Sequence, residues 1–323
     1  MDLLDAHPVT ARQLQYVVAV ADLGGFRRAA EACHVSQPSL SAQIAQVEAA
    51  LGLQIFERGR QPARVSAAGA PVLEQARRVL AAMRDLREAA RRHADPLHGT
   101  LRIGVIPTVC PYLLPDIAPA LRRRLPGLTI EWSEDRTHAL VRQVASGALD
   151  AAVVAFESDL GDLETAVLGR DPFVIAAAPG NRLVQSSSPA RVDALDGAEV
   201  LLLEDGHCLR DQALAVCARA GAGEPGLRAT SLSTLVQMVG ASGTRVTLLP
   251  AMALPVENRR GQIRVRPFVK NGPGRTLVLA WRRGSAVKIA AARVAEVVAR
   301  ALTHKIRPLR AHRPPRSGGA AAD

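Results

Sequence analysis

Apolar residues recur every three or four positions through the first 52 residues, and their intervals predict three short helices. Thr10 and Gln13 fit the two ends of a capping box, and Leu14, Val17, Val18 and Ala21 then form one apolar stripe up to Gly24-Gly25. The stretch "FRRAAEACH" predicts a second, shorter helix, and Ser36 caps a third that runs through Ile44 and Val47 to Gly52. The second and third are joined by a tight turn, which is the helix-turn-helix pattern. From Ser66 to about His93 the stripe resumes through Val72, Leu73, Ala76, Val79, Leu80, Met83, Leu86 and Ala90. An apolar stripe of that length is more than a small domain can cover, so it implies a partner helix.

Pro96 and Gly99 then break the helix and predict a hinge over residues 94–99. Beyond it, apolar runs of strand length alternate with amphipathic helical stretches. "TLRIGVIPT", "LTIEWSED" and "DAAVVAF" predict strands, with helices between them, and a second set runs from "PFVIAAAPG" to "TLVLAWR". Such alternation predicts a parallel α/β sheet, closed by a final amphipathic helix near residues 285–304. Two α/β lobes of this kind enclose a cleft. Thr108 follows the first strand and Thr137 precedes a helix, so both are candidates to present a hydroxyl to that cleft; taken alone, each also fits a plain turn or N-cap residue.

Charge adds less than its total suggests. The net charge is +11, yet residues 1–93 hold twelve Lys/Arg against nine Asp/Glu, while residues 305–323 hold five basic residues and one acid. The balance permits DNA binding without locating it, and the basic tail has the composition of a disordered segment. The amino terminus "MDLLDAHPVT" lacks a secretory pattern and no apolar run is long enough for a membrane span, so a cytoplasmic location with no membrane partner is expected. Cysteines at 33, 110, 208 and 217 form no CxxC pair. No metal site and no cofactor is expected from that spacing, and free thiols are the default in a reducing compartment.

At the start of the third helix Ser36 leaves backbone N–H groups for a phosphate, while Gln37, Ser39 and Gln43 could reach base edges in a major groove. "GGFRRAAEACHVSQPSLSAQIAQVEAALGLQIFER" closely resembles the amino-terminal domain of the LysR-type transcriptional regulators, and "VSAAGAPVLEQARRVL" resembles that family's linker helix, used for dimerisation. The resemblance implies a fold with an all-α winged helix-turn-helix domain (8–65), a linker helix (66–93), the hinge, and a two-lobed α/β effector domain (100–304) like periplasmic binding proteins. It places Ser36, Gln37, Pro38 and Ser39 at the recognition helix and Arg58 in the wing, on double-stranded promoter DNA. Arg60 and Arg64 could add phosphate contacts or simply be solvated.

The segment "LEDGHCLRDQALAVCARAG" places a thiol near each end of one helix. Cys208 falls in the first turn, beside free N–H groups and near His207 and Arg210, which favours thiolate. Cys217 is nine residues on. An unbroken helix would separate the two by about 13.5 Å along its axis and put them on opposite faces. A disulfide needs Cα atoms within roughly 7 Å, so the pair joins only if the helix unwinds. Taken alone, both residues also fit the role of small buried hydrophobes.

"DGHCLRDQ", together with "IGVIPTVCPYLLP" and "GRTLVLAWRRGS", resembles the hydrogen-peroxide-sensing branch of the same family. That resemblance implies that Cys208 is the peroxidatic thiol and Cys217 the resolving one, in a regulator of oxidative-stress genes acting as a dimer of dimers with RNA polymerase. It further implies that Thr108 and Thr137 bind peroxide, and that His207, Asp211 and Arg275 line or support the pocket. Cys110 departs from the pattern, being either a small apolar filler or a competing resolving thiol. Cys33 is expected in the helix-turn-helix core. A regulator responding to a small organic ligand in the cleft, its cysteines structural, is the other reading. A thiol peroxidase is the third, and a DNA reader has no place in such an enzyme, so no enzyme activity is expected.

Overall fold

The computed structural model describes residues 9–57, 62–92, 95–224 and 226–305. The expected phosphate contact at Arg58, the Arg60 position and the basic tail after Lys305 lie outside them. The chain divides into two compact units, one built mainly from residues 1–96 and the other from most of 97–323.

In the first unit, α1 (Ala11–Leu23), α2 (Phe26–Ala32) and α3 (Gln37–Leu51) pack around Val17, Val20, Ala29, Leu40, Ile44, Val47 and Ile55. The capping box at Thr10 forms as expected, with both Thr10 and Gln13 side chains engaged. Ser36 caps α3 by accepting from the Ser39 N–H. Cys33 is partly buried against this core, and Phe56 meets Phe26 edge-on at 5.5 Å. The linker helix α4 (Gly69–Arg92) starts three residues later than expected because Ser66 forms the preceding turn, its Oγ accepting from the Gly69 N–H at 2.9 Å. Ala76 and Ala81 are buried, whereas Val79, Met83 and Leu86 stand exposed, Leu86 at 73%. These three, spaced i, i+4, i+7, form a largely exposed apolar ridge.

The second unit begins with β1 (Gly99–Val105), α5 (Cys110–Arg124), β2 (Leu128–Glu134), α6 (Thr137–Ala145) and β3 (Ala151–Ala155). It continues through the long β4 (Leu163–Ala177), a single turn α7 (Arg182–Gln185), β5 (Val200–Leu203), α8 (Cys208–Ala220), a short β6 (Arg228–Ala229), α9 (Leu232–Ala241) and β7 (Val246–Pro250). A second single turn α10 (Leu254–Glu257), β8 (Arg264–Pro267), β9 (Gly274–Arg282) and α11 (Lys288–Lys305) complete it.

The strand order is β2-β1-β3-β9-β4-β7-β5-β6, with β8 beside β4. The expected parallel sheet is corrected to a mixed one. β1 pairs parallel with β2 and β3, and β5 parallel with β6 and β7, but β9 runs antiparallel to β3 and β4, and β7 antiparallel to β4. The reason is that the chain crosses between lobes on β4 and returns on β9, so a strand from late in the sequence enters the first lobe against the local direction. β4 serves both lobes, pairing with β9 along its first part and with β7 along its second. Its register slips between Val167 and Gly169. Gly169 there, at φ +154, leaves room for Leu302, which a Cβ would approach to 2.8 Å.

Candidate functional site

β5 is buried along its whole length, and the chain leaves it through Glu204, Asp205 and Gly206 to start α8. Gly206 takes φ +90, a conformation that glycine adopts without penalty. His207 is the N-cap and Cys208 the first helical residue, so Cys208 belongs to the turn whose N–H groups have no partner within the helix.

Cys208 borders a cavity of about 710 Å³ together with Thr137, Gly206, Asp211, Gln212 and Val216. Two groups in its wall are unsatisfied among the described residues: the buried Thr137 hydroxyl and the buried Gln212 Oε1 have no hydrogen-bond partner in the protein. Buried polar atoms left without partners cost free energy, and a small polar ligand or water with a donor and an acceptor relieves that cost. Asp211 is exposed on the first turn of α8 and lines the same cavity.

Thr108, His207 and Arg275 are not among the residues lining this cavity. Thr108 and Arg275 instead meet in a buried network. Arg275, fully buried, donates from Nη1 to Thr108 Oγ1 at 2.6 Å and from Nη2 to the Thr108 carbonyl at 2.9 Å. Its Nε and Nη2 also reach Asp171 Oδ2, while Asp171 Oδ1 accepts from the Met252 N–H. Burial raises the Asp171 carboxyl above its usual range, opposed chiefly by Arg275. His207 is buried and held below its ordinary pKa, first by burial and then by the nearby Arg136, so the imidazole is neutral near pH 7.

Arg210, expected to favour the thiolate, is engaged elsewhere. Its guanidinium donates to Asp205, to the Leu203 carbonyl and to both oxygens of Glu224, and its charge is taken up by these two carboxylates. Cys217 is buried on α8 and its thiol is pushed up to about 11, chiefly by burial and then by Glu224. Cys110 starts α5, buried beside Glu134. Burial first, and Glu134 second, push its thiol up to about 12, and it opens onto a separate groove that does not include Cys208. These surroundings disfavour the thiolate form of Cys110.

In the first unit, Ser36, Gln37, Pro38 and Ser39 are all exposed at the start of α3, as a recognition helix requires. Gln43 is partly buried, its Oε1 accepting from Gln13 Nε2 at 3.1 Å. Arg27 and Arg28 on α2 are exposed and share a groove with Gln37; two arginines in a helix carry no spatial signal in the sequence.

Residues 11–70 match the bacterial regulatory helix-turn-helix domain of the lysR family, and residues 94–303 match the LysR substrate binding domain. The chain belongs to the LysR family. It is a DNA-binding transcriptional regulator, with the helix-turn-helix and the two-lobed α/β domain of that family. It is 43% identical over 278 residues, 86% of this chain and 91% of the relative, to the hydrogen peroxide-inducible genes activator of Pectobacterium carotovorum subsp. carotovorum. It is 41% identical over 288 residues, 89% of this chain and 94% of the relative, to the DNA-binding transcriptional dual regulator OxyR of Escherichia coli (strain K12). Among solved structures it is similar to a full-length OxyR variant from Pseudomonas aeruginosa, with a TM-score of 0.74 and 33% identity over 90% of this chain and 95% of that one.

Proposed function

We propose that this LysR-type regulator senses hydrogen peroxide through Cys208 and alters its DNA contacts when a Cys208–Cys217 disulfide forms. The observation that carries the reading is the position of Cys208 at the N-terminus of α8, on a cavity whose wall holds the unpartnered Thr137 hydroxyl and Gln212 carbonyl. Similarity to the peroxide-inducible activators supports the choice of signal.

In this scheme the Cys208 thiolate attacks one peroxide oxygen; the O–O bond breaks, sulfenic acid forms, and the leaving hydroxide takes a proton to become water. Asp211 assists that proton movement and Thr137 orients the peroxide. Arg275 and Thr108 hold each other in a buried network and do not border this cavity. Neutral His207 adds no positive charge of its own. Cys217 then displaces water from the sulfenic acid, so that two thiols are oxidised and one peroxide is reduced to two waters. This second step requires α8 to unwind, because the two cysteines lie on opposite faces of an intact helix.

The exposed face of Ser36, Gln37, Pro38 and Ser39 with Gln43 reads promoter DNA, residues 66–93 pair two copies, and residues 100–304 carry the sensor. The protein works in the cytoplasm as a dimer of dimers that engages RNA polymerase, and it does not turn over substrate. The test counts free thiols before and after one equivalent of peroxide in the parent, Cys208→Ser and Cys217→Ser, with a promoter footprint of each. Loss of two thiols and a changed footprint in the parent alone is expected; an unchanged thiol count overturns the reading.

A further inference from the structure

We infer that Arg136 is a positioning residue for Cys208: its ion pair with Glu204 straps the Glu204–His207 loop to the start of α6, setting the thiol against Thr137. The inference rests on the peroxide reading above.

Three observations converge on this one side chain. The Arg136 carbonyl accepts the Ala139 and Leu140 N–H groups, so Arg136 stands at the start of α6, directly before Thr137. Its own N–H donates to Asp135 Oδ1 at 2.7 Å, while the Asp135 N–H is bonded to the Val105 carbonyl at the end of β1. The root of the side chain is thus anchored to the first lobe. Its guanidinium crosses to the second lobe and pairs with Glu204, four residues before Cys208. It also packs against Gly206, where a Cβ would sit 2.8 Å from Nη1 and 3.2 Å from Cδ. The absence of a side chain at Gly206 makes that seat, and the next residue, His207, is buried at 8% exposure.

One arginine therefore touches the loop that presents the thiol and adjoins the residue that presents the unpartnered hydroxyl. A pair more than a third exposed on both sides adds little to global stability, which separates its effect on position from an effect on folding. Small displacements of reacting groups carry large rate costs, so a strap worth little to the fold still governs how fast Cys208 reacts.

The test uses the full chain in a Cys217→Ser background, so that only sulfenic acid formation is followed. Arg136→Gln and Glu204→Gln are each expected to slow oxidation of Cys208 by peroxide by about tenfold, to speed amide exchange at residues 204–208, and to leave the unfolding midpoint within about two degrees. The exchanged pair Arg136→Glu with Glu204→Arg is expected to return both rates to within about threefold of the parent, since it restores the strap. Oxidation and exchange rates within twofold of the parent in Arg136→Gln overturn the inference. Slow oxidation in Arg136→Gln with parent rates in Glu204→Gln also overturns it, because the arginine charge would then act directly. If the parent thiol is not oxidised at all, the peroxide reading falls, while the exchange rates still decide whether Arg136 straps the loop.

Discussion

Arg275 Nη1 donates to Thr108 Oγ1 at 2.6 Å while the same guanidinium holds Asp171 Oδ2, with the arginine and the carboxylate both fully buried. The pair joins β9 to β4 in direct register, Asp171 opposite Arg275. Removing one partner strands a buried charge. Asp171→Ala is therefore expected to destabilise the second unit by about 3–5 kcal/mol, and Asp171→Leu with Arg275→Met by much less. Urea unfolding of the three proteins measures this.

Cys217 gives a pH dependence of definite sign. Its thiol is raised from an ordinary 9.0 to about 11, so the folded state binds its proton more tightly than the unfolded chain. The stabilisation is complete below about pH 9 and is lost as pH rises through about 11. Reduced protein is expected to lose stability across that window more steeply than Cys217→Ser. A parallel decline in the two proteins contradicts the assignment.

The ridge of Val79, Met83 and Leu86 on α4 has the spacing of a helix-pairing seam and is exposed. Leu86→Glu combined with Met83→Glu is expected to shift sedimentation from oligomer to a smaller species. The fold of the second unit, followed by its own thermal transition, should be unchanged.

On α3, Ser36→Ala removes the cap on the Ser39 N–H and is expected to cost about 1 kcal/mol of stability. Gln37→Ala, at an exposed position, is expected to leave stability unchanged and to weaken operator binding by about tenfold, in line with loss of one base contact. Binding measured at two salt concentrations separates this from a phosphate contact, since a base contact leaves the salt slope unaltered.

The elements were largely legible in the chain because they are signalled locally. Thr10 with Gln13, Ser36 before Gln37, and Gly206 before Cys208 all mark helix starts, and each start lies within a residue or two of its signal. The strand directions were not legible, because alternation reports where strands fall and not which neighbour each one takes. β9 meets β3 and β4 from more than a hundred residues away. The candidate site divides in the same way. Cys208, Thr137 and Asp211 border one cavity, whereas Thr108 and Arg275 are partners of each other, brought together across 167 positions. The place of Arg210 two residues after Cys208 predicts a neighbour of the thiol, but its charge is taken up by Asp205 and Glu224. Arg136 and Glu204 lie 68 residues apart and carried no signal of pairing.

The most direct test of the central claim is peptide mapping by mass spectrometry after one equivalent of peroxide, in parallel with amide exchange along α8. A disulfide linking Cys208 to Cys217, with loss of exchange protection between them, is the expected result. A Cys208 that stays reduced, or that links to Cys110 or to a second copy while residues 208–220 keep their protection, contradicts the account.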